Sequence, residues 1–140
     1  MSRYELTRSY HFSAAHRLTS PDLPPEESAR LYGQCHRPHG HNYVVEVTVA
    51  ADAVDPHTGM SADLGHLDAA VKRVLLDRVD HHDLSASVPE LAGVITTGEE
   101  LARVFWAWLA PELSPGALRR VAVVETANNT FEYAGPGSPA

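Results

Sequence analysis

The chain has one cysteine, Cys35, among 140 residues. A single thiol cannot close an internal disulfide, and it excludes the multi-thiolate structural zinc sites as well. Positive charge is also scarce. Eleven Lys and Arg stand against eighteen Asp and Glu, for a net charge of −7. With no basic stripe to neutralise phosphates, nucleic acid is excluded as a partner, although a small phosphorylated substrate needs only a few local cations. No apolar run approaches the roughly 20 residues that span a bilayer, which excludes a membrane helix. Met1–Glu5 also lacks the apolar core of a signal peptide. A cytoplasmic protein in a reducing compartment is the expectation. Hydrophobic residues make up 44% and charged residues 21%, as in an ordinary globular chain long enough for one core. No repeat or linker interrupts the body. One domain over 1–134 is expected, with a disordered tail at 135–140.

Tyr4, Leu6, Tyr10 and Phe12 share one parity against polar neighbours, which predicts a half-buried strand with a gap at Arg8. Ala14 and His16 continue the buried parity. Thr19–Arg30, with Pro21, Pro24 and Pro25, reads as a loop. From Asn42 to Ala51 the alternation returns, with Tyr43, Val45, Val47 and Val49 on the parity of His39 and His41. Asp63 is placed to cap a helix carrying Leu64, Leu67, Val71, Val74 and Leu75. Thr97-Gly98-Glu99-Glu100 reads as a capping box ahead of Leu101, Val104, Phe105, Trp108 and Leu109. Leu118–Thr126 and Thr130–Tyr133 form a closing hairpin around Asn128-Asn129. The expected fold is α+β: one four-stranded antiparallel sheet, ββααββ, with two helices on one face. Its two open edges invite assembly with further copies.

The chemistry concentrates around Cys35-His36-Arg37-Pro38-His39-Gly40-His41. Two imidazoles two residues apart leave an extended strand from the same face. If the first two strands pair antiparallel, the loop between them brings His16 beside His39 and His41. Three histidines with a fourth position open form a catalytic rather than a structural zinc site. Cys35 is either a small buried hydrophobe or, beside His36 and Arg37, a thiolate serving as base or nucleophile. Asp80-His81 is either a helix C-terminus or an orienting carboxylate with a proton carrier. Glu125, directly after the apolar run Val121–Val124, is either an exposed strand position or a carboxylate suited to an amidine-like heterocycle edge.

Six segments together resemble the 6-pyruvoyltetrahydropterin synthase family, which includes 6-carboxytetrahydropterin synthase. They are Phe12–Leu18, Cys35-x-x-x-His39-Gly40-His41-Asn42, Val54–Met60, Asp80–Leu84, Thr97–Glu99 and Val124–Thr126. The resemblance covers the chain from about Tyr10 to Tyr133. It implies the tunnelling fold, in which three sheets join into a barrel and two rings stack into a homohexamer. It further implies zinc on His16, His39 and His41, with Cys35 as the base at the substrate side chain. Asp80 and His81 become a second proton-handling pair delivered from a neighbouring subunit. Glu125 becomes the pterin anchor, with Thr97 and Glu99 lining the same pocket. The implied substrate is the pterin 7,8-dihydroneopterin triphosphate.

Two products are open. The three residues between Cys35 and His39 are similar to the carboxy branch, which releases triphosphate and acetaldehyde on the way to queuosine. Glu125-Thr126-x-Asn128-Asn129 and the long 19–32 loop are similar to the pyruvoyl branch of the tetrahydrobiopterin pathway. The spacing positions the base itself, so the carboxy product is the expectation and the pyruvoyl product the alternative. A non-catalytic zinc- or pterin-binding oligomer would dispense with Cys35, Asp80 or His81, and all three are present.

Overall fold

The computed structural model describes residues 3–137. Of the tail expected to be disordered, residues 138–140 lie outside the described residues, while Gly135 abuts the Trp106 indole. β1 (Tyr4–His16) and β2 (His39–Ala51) form a long antiparallel pair. Its register sets Phe12 opposite Tyr43, Ala14 opposite His41 and His16 opposite His39. β4 (Leu118–Thr126) pairs with β2, and β5 (Asn129–Tyr133) pairs with β4, both antiparallel. These are the four expected strands.

The sheet has a fifth. β3 (His82–Asp83) runs parallel to β1 at Ala14 and Ala15, giving the order β3-β1-β2-β4-β5 and a mixed sheet. Two residues are too short for a periodic signal, so the alternation pattern could not find it. The expected 19–30 loop also differs, because α1 (Pro25–Tyr32) occupies its second half. Prolines that read as breakers sit where a helix accepts them. Pro24 is the N-cap and Pro25 is the first helical residue, followed by Glu26 and Glu27 at the positive end of the dipole.

α2 (Leu64–Val71) starts at Asp63, whose Oδ1 accepts the His66 amide at 3.0 Å. It continues through a π-helical turn, Lys72–Leu76, into α3 (Asp77–Val79). α4 (Gly98–Leu109) is capped by the Thr97 hydroxyl, which accepts the Glu100 amide at 3.3 Å. The Glu100 carboxylate turns outward to Arg103 rather than back to close the box. Phe12, Tyr43, Val45, Val47, Val121 and Val123 form the buried face of the sheet, against Leu67, Val71, Leu75, Leu101 and Phe105 of the helices. Phe12 stacks on Tyr43 with ring centroids 4.7 Å apart and meets Phe105 edge-on. The gap at Arg8 is not a defect in the pattern. Its guanidinium makes a bidentate pair with Asp68 of α2, at 2.8 and 3.0 Å, and the Tyr10 hydroxyl donates to the same carboxylate at 2.6 Å. These bonds, the Arg8 pair foremost, hold the Asp68 carboxyl below its usual range.

Gly98 has a steric reason to be glycine. It is buried, and a β-carbon there would run into the Phe131 ring of β5. Any residue with a β-carbon is therefore crowded at this position by packing. Gly98→Ala should cost about 1–3 kcal/mol, as overpacking generally does. Urea unfolding reads it, and Phe131→Ala in the same chain should recover part of the loss. An unchanged midpoint for the single variant would contradict the packing argument.

Candidate metal centre

β1 and β2 place His16, His39 and His41 at one end of the sheet. One ring nitrogen from each lies within 4.8 Å of the others. Ring centroids stand 4.6 Å apart for His16 and His39, 5.2 Å for His16 and His41, and 4.9 Å for His39 and His41. The orientation of two rings is set from outside the cluster. The Nδ1 of His16 lies 3.0 Å from the Thr96 carbonyl, and that of His39 lies 2.6 Å from the Arg37 carbonyl. A carbonyl only accepts, so both Nδ1 atoms carry the proton and both Nε2 atoms are left as electron-pair donors. Such fixing of the far nitrogen is how metal-binding imidazoles are commonly held. The donor set fits a zinc-like ion: three imidazole nitrogens, too few for a closed structural site.

His16 is 2% exposed, and Tyr43 beneath it is fully buried. The Tyr43 hydroxyl donates a long 3.4 Å bond to His16 Nε2. Burial, reinforced by the electrostatic influence of the neighbouring His39 ring, holds the His16 pKa down to about 4. Burial also lowers His41. An unfolded histidine titrates near 6.5, so between 6.5 and about 4 the unfolded chain takes up a proton that folded His16 refuses. The metal-free protein should therefore lose stability as pH falls through that window and show no such loss above it. Urea midpoints at pH 7.5, 6 and 5 measure it, with His16→Gln losing part of the slope. An identical slope in that variant would contradict the assignment.

Cys35 stands on the 3₁₀ turn Gly33–His36, exposed, and shares a cleft of about 360 Å³ with Arg37, His39 and His41. Glu125 lies on the buried-face parity of β4, beside the cluster. Its negative charge is felt by His41 and Tyr43, raising both, although burial is the larger influence on each. The pairing of β4 with β5 slips between Val124 and Thr126, so Glu125 sits at an irregularity of the kind that re-aims a side chain. Thr97 caps α4 directly after Thr96, while Glu99 is exposed in the first turn.

Asp80 and His81 lie elsewhere, on the outer edge of β1. The Asp80 carboxylate accepts the Ser13 amide at 3.0 Å and meets His81 Nδ1 at 2.9 Å. The His81 amide donates to the Ser13 carbonyl at 2.6 Å. His81 is the one non-glycine residue with positive φ among the described residues, at 60°, and its side chain is 82% exposed. Within one chain His81 borders an open depression with Ser13, His41 and Asn42, and neither Asp80 nor Cys35 is among its lining residues.

Sequence reasoning missed Thr96, which is 80 residues from His16 and has no spacing signal to mark it. It also placed Tyr43 only in the core, although its hydroxyl faces the imidazoles.

A profile of the 6-pyruvoyl tetrahydropterin synthase family matches residues 5–136. The chain belongs to that family. It is 42% identical over 130 residues to the 6-pyruvoyl tetrahydrobiopterin synthase of Dictyostelium discoideum, covering 93% of this chain and 95% of the relative. The solved structure of Caenorhabditis elegans 6-pyruvoyl tetrahydropterin synthase superposes with a TM-score of 0.87 at 36% identity. That match covers 94% of this chain and 95% of the other. The 6-carboxy-5,6,7,8-tetrahydropterin synthase of Aquifex aeolicus is further off, 29% identical over 160 aligned residues, covering 94% of this chain and 98% of the relative. The balance falls on the pyruvoyl side, against the product expected from the Cys35–His39 spacing. Cys35 is held by the Leu18 amide donating to its carbonyl at 2.8 Å, so the length of the Arg37-Pro38 link to β2 does not by itself place the thiol.

Proposed function

We propose that the protein is a zinc-dependent lyase of the 6-pyruvoyl tetrahydropterin synthase type, eliminating triphosphate from 7,8-dihydroneopterin triphosphate. The observation that carries this reading is the convergence of three imidazole nitrogens with Cys35 bordering the same cleft. His16, His39 and His41 would hold the ion. The ion would supply Lewis acidity there, making the substrate side-chain hydroxyls and the C–H bonds beside them more acidic. Cys35, as thiolate, takes the proton from a side-chain carbon. Asp80 and His81 manage a second proton, with the Asp80 carboxylate orienting the imidazole. The Ser13 contacts fix their backbone at an exposed edge, which suits delivery to a site on another copy. Glu125 accepts hydrogen bonds from the amino and ring N–H groups of the pterin, and the backbone at Thr97–Glu99 lines the same pocket. Ring assembly through β5 at one edge and, at the other, the stretch of β1 that β3 leaves unpaired, as a hexamer of two trimers, would bring these parts together.

The carboxy product remains a second reading because three residues separate Cys35 from His39. Zinc-loaded protein incubated with 7,8-dihydroneopterin triphosphate and followed by mass spectrometry separates the two. The pyruvoyl product with stoichiometric triphosphate and no acetaldehyde is expected. Acetaldehyde with a carboxypterin would establish the other branch, and unchanged substrate would sink both.

A further inference from the structure

His36 belongs to none of the roles above, yet it is the best-connected side chain of the Cys35 turn. Its Nε2 lies 2.7 Å from Nη2 of Arg17, and its Nδ1 lies 3.0 Å from the Leu18 carbonyl. A guanidinium only donates and a carbonyl only accepts. His36 therefore receives a hydrogen bond at Nε2 and gives one at Nδ1, with its ring held between the two. Arg17 and Leu18 directly follow His16. The Arg17 amide donates to the Ser85 hydroxyl at 3.0 Å, and that hydroxyl donates to the Arg17 carbonyl at 3.1 Å. The platform is thus tied to the segment beyond β3 as well as to the metal strand.

The turn itself has little else to hold it. None of Gly33–His36 is buried, and Cys35 is exposed. Its tertiary anchors are the backbone bond between Leu18 and Cys35 and the two bonds of His36. A turn with so few buried contacts opens locally at low cost unless its polar anchors hold.

We propose that His36 is a positioning residue for the Cys35 thiol, clamped by Arg17 and Leu18 so that the cysteine turn keeps a fixed place relative to the three imidazoles. This rests on the reading of Cys35 as the base. A base displaced by about 1 Å loses a large part of its rate, so the clamp acts on turnover rather than on metal binding.

The test measures four things in zinc-loaded wild type, His36→Ala, His36→Gln and Cys35→Ala: zinc content, kcat, KM, and the rate of Cys35 alkylation by iodoacetamide. His36→Ala should keep its zinc and its KM, lose at least fivefold in kcat, and change its alkylation rate at least threefold as the turn loosens. His36→Gln, whose amide can accept from Arg17 and donate to Leu18, should recover much of both. Wild-type kcat in His36→Ala would overturn the proposal. So would a lower kcat with an unchanged alkylation rate, or a loss of zinc. Should His36→Ala fail to fold, His36→Gln decides, since it must then show near-normal kcat and alkylation. Normal turnover in Cys35→Ala would instead remove the base reading itself. An inactive Cys35→Ala with a normal His36→Ala would remove only this inference.

Discussion

Cys35→Ala should retain zinc, fold and substrate affinity while turnover falls about 10²–10⁴-fold, the usual cost of removing a positioned base. The structure separates the thiol from the ligand set. Three imidazole nitrogens lie within 4.8 Å of one another without Cys35, and the His16 and His39 rings are oriented by carbonyls rather than by the thiol. Cys35 is exposed, so alanine removes no core contact and stability should hardly change. Zinc content, urea midpoint and kcat of one variant distinguish three roles. A base loses kcat alone, a fourth ligand loses zinc, and a packing residue loses stability. Normal turnover with normal zinc would mean that another group takes the proton.

Glu125→Gln should raise KM for the pterin by about 10- to 100-fold, as expected when a hydrogen bond to a charged acceptor worth roughly 1.5–3 kcal/mol is weakened. Glu125 is half-buried, and its charge works against the burial that lowers His41 and with the burial that raises Tyr43, so the carboxylate stands beside the cluster. The variant should keep its zinc, because Glu125 is not among the three converging donors. A fluorescence titration with a pterin lacking the triphosphate isolates this contact. Equal affinity for wild type and Glu125→Gln would contradict the anchoring role.

What could be read from the chain alone follows the range of each signal. Alternation through Phe12, Ala14 and His16, and through His39, His41 and Tyr43, is a local property. Once the strands pair, the register does the rest: His16 faces His39 because thirteen residues align without a bulge. The helix caps at Asp63 and Thr97 were legible for the same reason, since each bond spans three residues. Contacts between distant segments were not. Nothing near Arg8 announces that Asp68 completes it, and nothing near His16 announces Thr96. β3 exists only because Ala14 and Ala15 offer an edge, and its own two residues carry no pattern. α1 was hidden by prolines whose meaning depends on where the helix begins. The separation of Asp80-His81 from Cys35 is a fact of three dimensions, although the family resemblance had already implied that the pair serves a neighbouring copy.

The proposed chemistry depends on the three imidazoles, and equilibrium titration of the metal-free protein with zinc against a chromophoric chelator tests them most directly. Wild type and Cys35→Ala should each bind about one ion per chain with similar affinity, while His39→Ala should lose that site. Full zinc binding by His39→Ala, or none by the wild type, would contradict it.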